Sequence, residues 1–116
     1  MNLDGLRLFF VFLAVHCVCD FALQSDTMGR EKKRASGTAL QLVVPWYYWM
    51  TAHALIHGLG VMVATQSLVL GLAESAAHFL IDFGKCEGKY GIHVDQGLHV
   101  ACKVAWCLLV LHGGLP

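Results

Sequence analysis

Charge is what this sequence has least of. Of its 116 residues, eight are basic and eight acidic, so only 14% are charged, against ~25% in ordinary soluble domains. Sixteen such residues are too few to cover the surface of a soluble domain of this size. The formal net charge is zero, so no global basic field draws in nucleic acid, and no nucleic-acid partner is expected. Internal repeats and low-complexity tracts are missing, as is any cysteine pair at zinc-finger spacing. The five cysteines are an odd set: Cys17, Cys19, Cys102 and Cys107 fall in apolar stretches and Cys86 in a connection. They read as small apolar fillers with reduced thiols. The length excludes a multi-domain enzyme. The composition excludes a disordered chain and a secreted disulfide scaffold.

What is abundant is apolar. Hydrophobic residues make up 57% of the chain, and the mean hydropathy is +0.60. A helix needs ~20 mostly apolar residues to cross a bilayer core of ~30 Å. Four stretches approach that length, at residues 3–23, 45–64, 66–83 and 94–112. The second contains no Asp, Glu, Lys or Arg and opens on Pro45, whose missing N–H is no loss in a first turn. The expectation is an all-α polytopic membrane protein, a single domain over 1–116, with four transmembrane helices in a bundle. A tight hairpin between Ala64 and Ser67 joins the middle pair. A cleaved signal peptide fits the first stretch poorly, because no small-x-small site follows LFFVFLAV.

Basic residues set the orientation. The first connection holds Arg30, Lys32, Lys33 and Arg34, and the third holds Lys85 and Lys89. The opposite side has only Arg7 near its start. This six-to-one bias places both connections in the cytoplasm of an inner-membrane protein and both termini in the periplasm. Trp and Tyr in the PWYYW run at 45–49 would anchor the second span at the interface, with membrane lipids as partners. Gly58, Gly60, Gly71, Ala73, Ser75, Ala76 and Ala77 suit close helix packing in lipid.

The informative residues are polar ones within the spans. His16, Asp20 and Gln24 recur every four residues on the first. So do His53 and His57 on the second, Glu74, His78 and Asp82 on the third, and Asp95, His99 and Lys103 on the fourth. Four residues turn a helix by only ~40° beyond a full turn, so each span carries one narrow polar stripe. Counting ~1.5 Å per residue from the cytoplasmic ends puts His16, His53, His78 and His99 in one layer, roughly 7–12 Å deep. Asp20, Asp82 and Asp95 form a shallower ring, and His57, Glu74 and Lys103 a deeper one. His93 reads as a solvated loop residue, and His112 as interfacial.

Ionisable groups inside spans are costly and usually functional. Imidazole with carboxylate suits zinc, manganese or iron, and bundles build two-metal sites from such inward residues. The candidate metal ligands are His16, Asp20, His53, His57, His78, Asp82 and His99, with Gln24 and Lys103 in support. Asp95 and Glu74 are the candidate catalytic carboxylates. Asp20, Glu74, Asp82 and Asp95 carry four negative charges and Lys103 returns one. One dication then leaves a net −1, and two with one hydroxide leave zero. Lys103 lies at mid-span, at the depth of Glu74, which predicts an ion pair between them.

Three strings, HCVCDFALQ at 16–24, HFLIDFGK at 78–85 and DQGLH at 95–99, resemble a family of small bacterial and phage membrane proteins catalogued only as a domain of unknown function. The resemblance implies that His16, Asp20, Gln24, His78, Asp82, Asp95 and His99 carry the family's motif. It also implies that Lys32 or Lys33 matches a basic position in the first connection. A looser similarity exists to membrane-bound, metal-dependent hydrolases with His and Asp on their helices. The expected function is an inner-membrane metal-dependent hydrolase opening to the cytoplasm, acting on a lipid or phosphoester. The alternatives are metal-ion or proton transport, a haem-binding redox bundle, and a non-catalytic phage or bacterial protein that binds a host partner. A homodimer would help four short helices to enclose a site.

Overall fold

The computed structural model describes residues 3–113, and it is all-α, with no strand among them. Helix α1 (Leu3–Cys17) runs into a π-helical turn, Val18–Ala22. A short α2 (Asp26–Glu31) and two 3-10 turns (Arg34–Ser36, Ala39–Leu42) make up the first connection. Three long helices follow: α3 (Trp46–Thr65), α4 (Leu68–Cys86) and α5 (Ile92–Leu111). Their limits lie within a few residues of the apolar stretches, because apolar length and caps act together. Pro45 precedes the first residue of α3, and the Ser67 hydroxyl caps α4 by accepting from Leu70 N.

The long helices form a four-membered ring. α3 packs on α4, α4 on α5, α5 on α1 and α1 on α3. The α3–α4 hairpin turns in two residues. Gln66 takes the left-handed conformation (φ 58°) and returns its N–H to Met62 O at 2.7 Å, as a helix C-terminal cap requires. Beyond that turn the two backbones touch. A Cβ on Gly58 would stand 2.5 Å from Gly71 O, and one on Gly71 would stand 2.8 Å from Met62 Cβ. Glycine here lets the helices approach closely enough to bring their polar stripes together.

At the hairpin end, each long helix gives one residue to a dry core: Phe12, Val61, Leu70 and Cys107. The other end carries the connections. The Arg34 guanidinium donates to both Glu87 oxygens at 3.0 and 2.8 Å, tying the first connection to the third. Trp46 stacks on Phe83 at 5.4 Å. The basic connections therefore share one end of the bundle. Within the first connection, the Thr38 hydroxyl and the Arg30 guanidinium hold the Glu31 carboxyl below its usual range.

Among the described residues, two segments, Leu3–Ala22 and Ile92–Leu111, are long and apolar enough to cross a membrane. α3 has the length but opens on WYYW, and α4 carries Glu74, Asp82 and Lys85. Large apolar side chains face outward on all four long helices, among them Phe10, Leu59, Leu72 and Leu109.

A buried histidine and carboxylate centre

The polar stripes converge inside the ring. His16, His53, His57, His78 and His99 are all at most 3% exposed. His57 stacks on His78 with ring centroids 3.6 Å apart, and His78 stacks on His99 at 4.2 Å. His53 packs against both His57 and His78 at 4.9 Å. His16 lies 5.1 Å from His99 and 5.2 Å from His57. Five imidazoles from four helices thus form a single cluster.

Asp20 is the hub of this cluster. Nε2 of His57 and of His53 donate to its Oδ1 at 3.1 and 3.2 Å. Nε2 of His78 lies 3.7 Å from the same oxygen. His16 Nε2 lies 3.4 Å from Oδ2. Two depth assignments are corrected here. Asp20 does not belong to a shallow ring but sits among the histidines. His57 is not in a deeper layer but stacks within the central one. The reason for the first lies in the π turn, where Leu23 N bonds Val18 O at 2.8 Å, an i→i+5 step. That underwound turn shifts Asp20 relative to a regular α-helix, which depth counting at ~1.5 Å per residue does not capture. For His57, α4 continues to Cys86 rather than ending at 83, so His78 lies deeper than the count gave and stacks level with His57.

Asp82 and Asp95 lie toward the connection end. Asp82 Oδ2 accepts from Lys32 Nζ at 2.5 Å and lies 3.7 Å from His53 Nε2. Lys85 Nζ stands 3.3 Å from Asp82 Oδ1 and 3.9 Å from Asp95 Oδ2. Asp95 Oδ1 lies 3.4 Å from His99 Nε2 without forming a hydrogen bond. Gln24 accepts from Lys32 at 2.5 Å and takes no direct part in the cluster. At the opposite end Lys103 donates to Glu74 Oε1, and Trp106 Nε1 donates to Oε2 at 2.7 Å. Both oxygens of Glu74 are therefore engaged. His93, in the first turn of α5 rather than in a loop, and His112 are exposed and outside the cluster.

Three contributors escaped the stripe argument. Gln96 accepts from His16 Nε2 at 3.0 Å and donates to Asp20 Oδ2 at 2.8 Å and Asp95 Oδ2 at 3.1 Å. It is off the four-residue stripe of α5, and its place in the DQGLH string was the only signal. Lys32, 2% exposed, reaches in from the first connection, and Lys85 reaches down from the end of α4. Position in the chain marks both as topology charges, and the family resemblance touches both, Lys32 as a basic position of the first connection and Lys85 as the last residue of HFLIDFGK. They change the charge balance of the centre. Four carboxylates, Asp20, Glu74, Asp82 and Asp95, now face three ammonium groups, Lys32, Lys85 and Lys103, leaving a formal −1.

The donor set fits a metal ion. Asp20, His53, His57 and His78 offer ligand atoms within 4.8 Å of one another, and so do His16, His78 and His99. Around an ion with bonds of ~2.0–2.2 Å, tetrahedral ligand atoms are roughly 3.3–3.6 Å apart. The 3.1, 3.2 and 3.7 Å separations about Asp20 Oδ1 bracket that range. His78, common to both groups, is fully buried, and neither ring nitrogen has a hydrogen-bond partner among the described residues. Buried polar atoms are rarely left so.

Residues 8–113 match the profile of a family described as proteins of unknown function, DUF3307. No curated protein and no solved structure matches the chain.

Proposed function

The chain belongs to the DUF3307 family, and we propose that it is a four-span inner-membrane protein whose buried centre holds a divalent transition metal and hydrolyses a phosphoester or lipid from the cytoplasmic side. The observation that carries the reading is His78: a fully buried imidazole with no hydrogen bond to either nitrogen, only carboxylate oxygens at 3.7 and 3.8 Å, and shared by two groups of ligand atoms. Zinc, manganese and iron all suit imidazole with carboxylate. The four-span reading is supported by the outward apolar side chains of α3 and α4 and by the inward pairing of the α4 carboxylates. The sidedness is supported by the basic residues gathered at the connection end.

Asp20, His53, His57 and His78 would hold the ion, with His16 and His99 beside them. A bound ion of this kind lowers the pKa of a water and polarises a phosphoryl or carbonyl oxygen. Asp95 Oδ1, buried and without a hydrogen bond, would accept a proton from such a water. Gln96 keeps Asp20 and His16 in register. Glu74, with both oxygens occupied, acts as the anchor of Lys103 rather than as a second base. The Lys103–Glu74 pair and the core of Phe12, Val61, Leu70 and Cys107 seal the centre at the hairpin end.

That seal argues against transport, since the apolar half offers an ion no onward ligands. The packing argues against haem, because imidazoles stacked 3.6 and 4.2 Å apart leave no slot for a porphyrin between them. Elemental analysis of detergent-purified protein, followed by assays on aryl phosphate mono- and diesters, tests the proposal. Stoichiometric zinc, manganese or iron with metal-dependent turnover is expected. Protein that takes up none of these metals on reconstitution rejects the metal centre. Metal without turnover, but with uptake into proteoliposomes, favours transport.

A further inference from the structure

The two lysines at the connection end have no role in holding a metal ion. Lys32 is buried although its neighbours in the sequence, Lys33 and Arg34, are exposed. An ammonium group has three donors, and Gln24 and Asp82 are the two acceptors it meets here. Lys85, from a different element, points at Asp82 and Asp95 from the opposite side and stays 22% exposed. Two ammonium groups thus converge on Asp82, and Lys85 also faces Asp95, whose Oδ1 is buried and makes no hydrogen bond. The charge balance gives this a direction. With three ammonium groups against four carboxylates the centre is one charge negative, and a single dication turns it one charge positive. A second dication would leave it three charges positive in a buried site, which is prohibitive without several anions.

We infer that the loaded centre takes one dication and that Lys32 and Lys85 form an anion-recognition pair for a phosphoryl group, so that the substrate is a phosphoester rather than a neutral ester or amide. This rests on the metal reading above and deepens it. A phosphoryl group between the two lysines supplies acceptors for the donor that Lys32 has left. It also supplies the negative charge that the loaded centre lacks. Free phosphoesters of the cytoplasm and lipid headgroups share this chemistry.

The test uses the full chain in detergent, loaded with manganese, and inorganic phosphate as the probe. Metal content is measured first. One manganese per chain is expected, and two overturn the single-ion inference while leaving the metal reading intact. Chains that bind none overturn both. Paramagnetic relaxation of the phosphate ³¹P signal then reports binding at the centre. Lys32→Met and Lys85→Met should each weaken phosphate about tenfold or more with manganese content unchanged. Lys85→Met guards against loss of folding in Lys32→Met, since Lys85 is the more exposed of the two. Full manganese without phosphate relaxation overturns the inference, as does parental phosphate affinity in Lys85→Met. Displacement of phosphate by glycerol 3-phosphate assigns a soluble substrate. Displacement by dihexanoyl phosphatidic acid alone assigns a lipid headgroup. Either upholds the phosphoester class.

Discussion

Lys103 on α5 donates to Glu74 on α4, with both side chains at most 2% exposed, and Trp106 on the next turn of α5 holds the second carboxylate oxygen. The pair lies between the histidine cluster and the apolar core, so it sets the floor of the centre. Removing one partner leaves a buried charge without compensation. Lys103→Met should therefore destabilise by about 3–5 kcal/mol. Lys103→Met with Glu74→Gln should recover a large part of that, because no charge is then stranded. Denaturation in detergent followed by circular dichroism measures both. Strictly additive losses in the double variant would show that the two groups do not depend on each other.

His78 is the ligand common to both donor groups. Alanine at His78 should abolish stoichiometric metal. Alanine at His16 or His99 should remove most of it, since each takes away a donor nitrogen. His93→Ala and His112→Ala should retain parental content, because both residues are exposed and outside the cluster. Asp95→Asn should spare metal while lowering turnover, as expected of a group that serves the water. Elemental analysis of the purified variants decides. Full metal in all of the His16, His78 and His99 variants would remove the centre from consideration.

Gln96 joins His16, Asp20 and Asp95 through three hydrogen bonds without itself offering a ligand atom of the usual kind. Partners of this sort orient ligands, and losing one typically costs ~10–100-fold in metal affinity. Gln96→Leu keeps the approximate volume and removes all three bonds. Its metal affinity, measured by chelator competition, should fall within that range while helix content is unchanged. Parental affinity would mean that Asp20 is fixed by its histidines alone.

The connection end should face the cytoplasm. A periplasm-active reporter fused after Gly113 should be active, and the same reporter placed in the turn at 88–90 should be silent. The complementary cytoplasm-active reporter should give the reverse. Cytoplasmic activity of a fusion after Gly113 would invert the topology and with it the direction of substrate access.

Much of this arrangement was legible in the chain because helical periodicity is a local property. Apolar length located α1, α3, α4 and α5, and the four-residue recurrence of His, Asp, Glu and Lys defined one inward stripe on each. Antiparallel succession with short connections then matched Lys103 to Glu74 in depth. Those inferences need only the rise and twist of a regular helix.

What the sequence could not express is where regularity breaks and what distant segments bring in. The π turn at Val18–Ala22 moves Asp20 from the rim to the middle of the histidines, and no residue type marks it. The extension of α4 to Cys86 brings His78 level with His57, and the glycine contact between α3 and α4 sets how closely the two stripes approach. Gln96 and Lys32 join the centre from off-stripe and off-helix positions. Sequence alone thus determined the helices and the composition of the polar interior, which depend on neighbours along the chain. Tertiary packing alone decided which carboxylate the imidazoles surround and how many ammonium groups offset it, because both depend on distances between elements that periodicity does not encode.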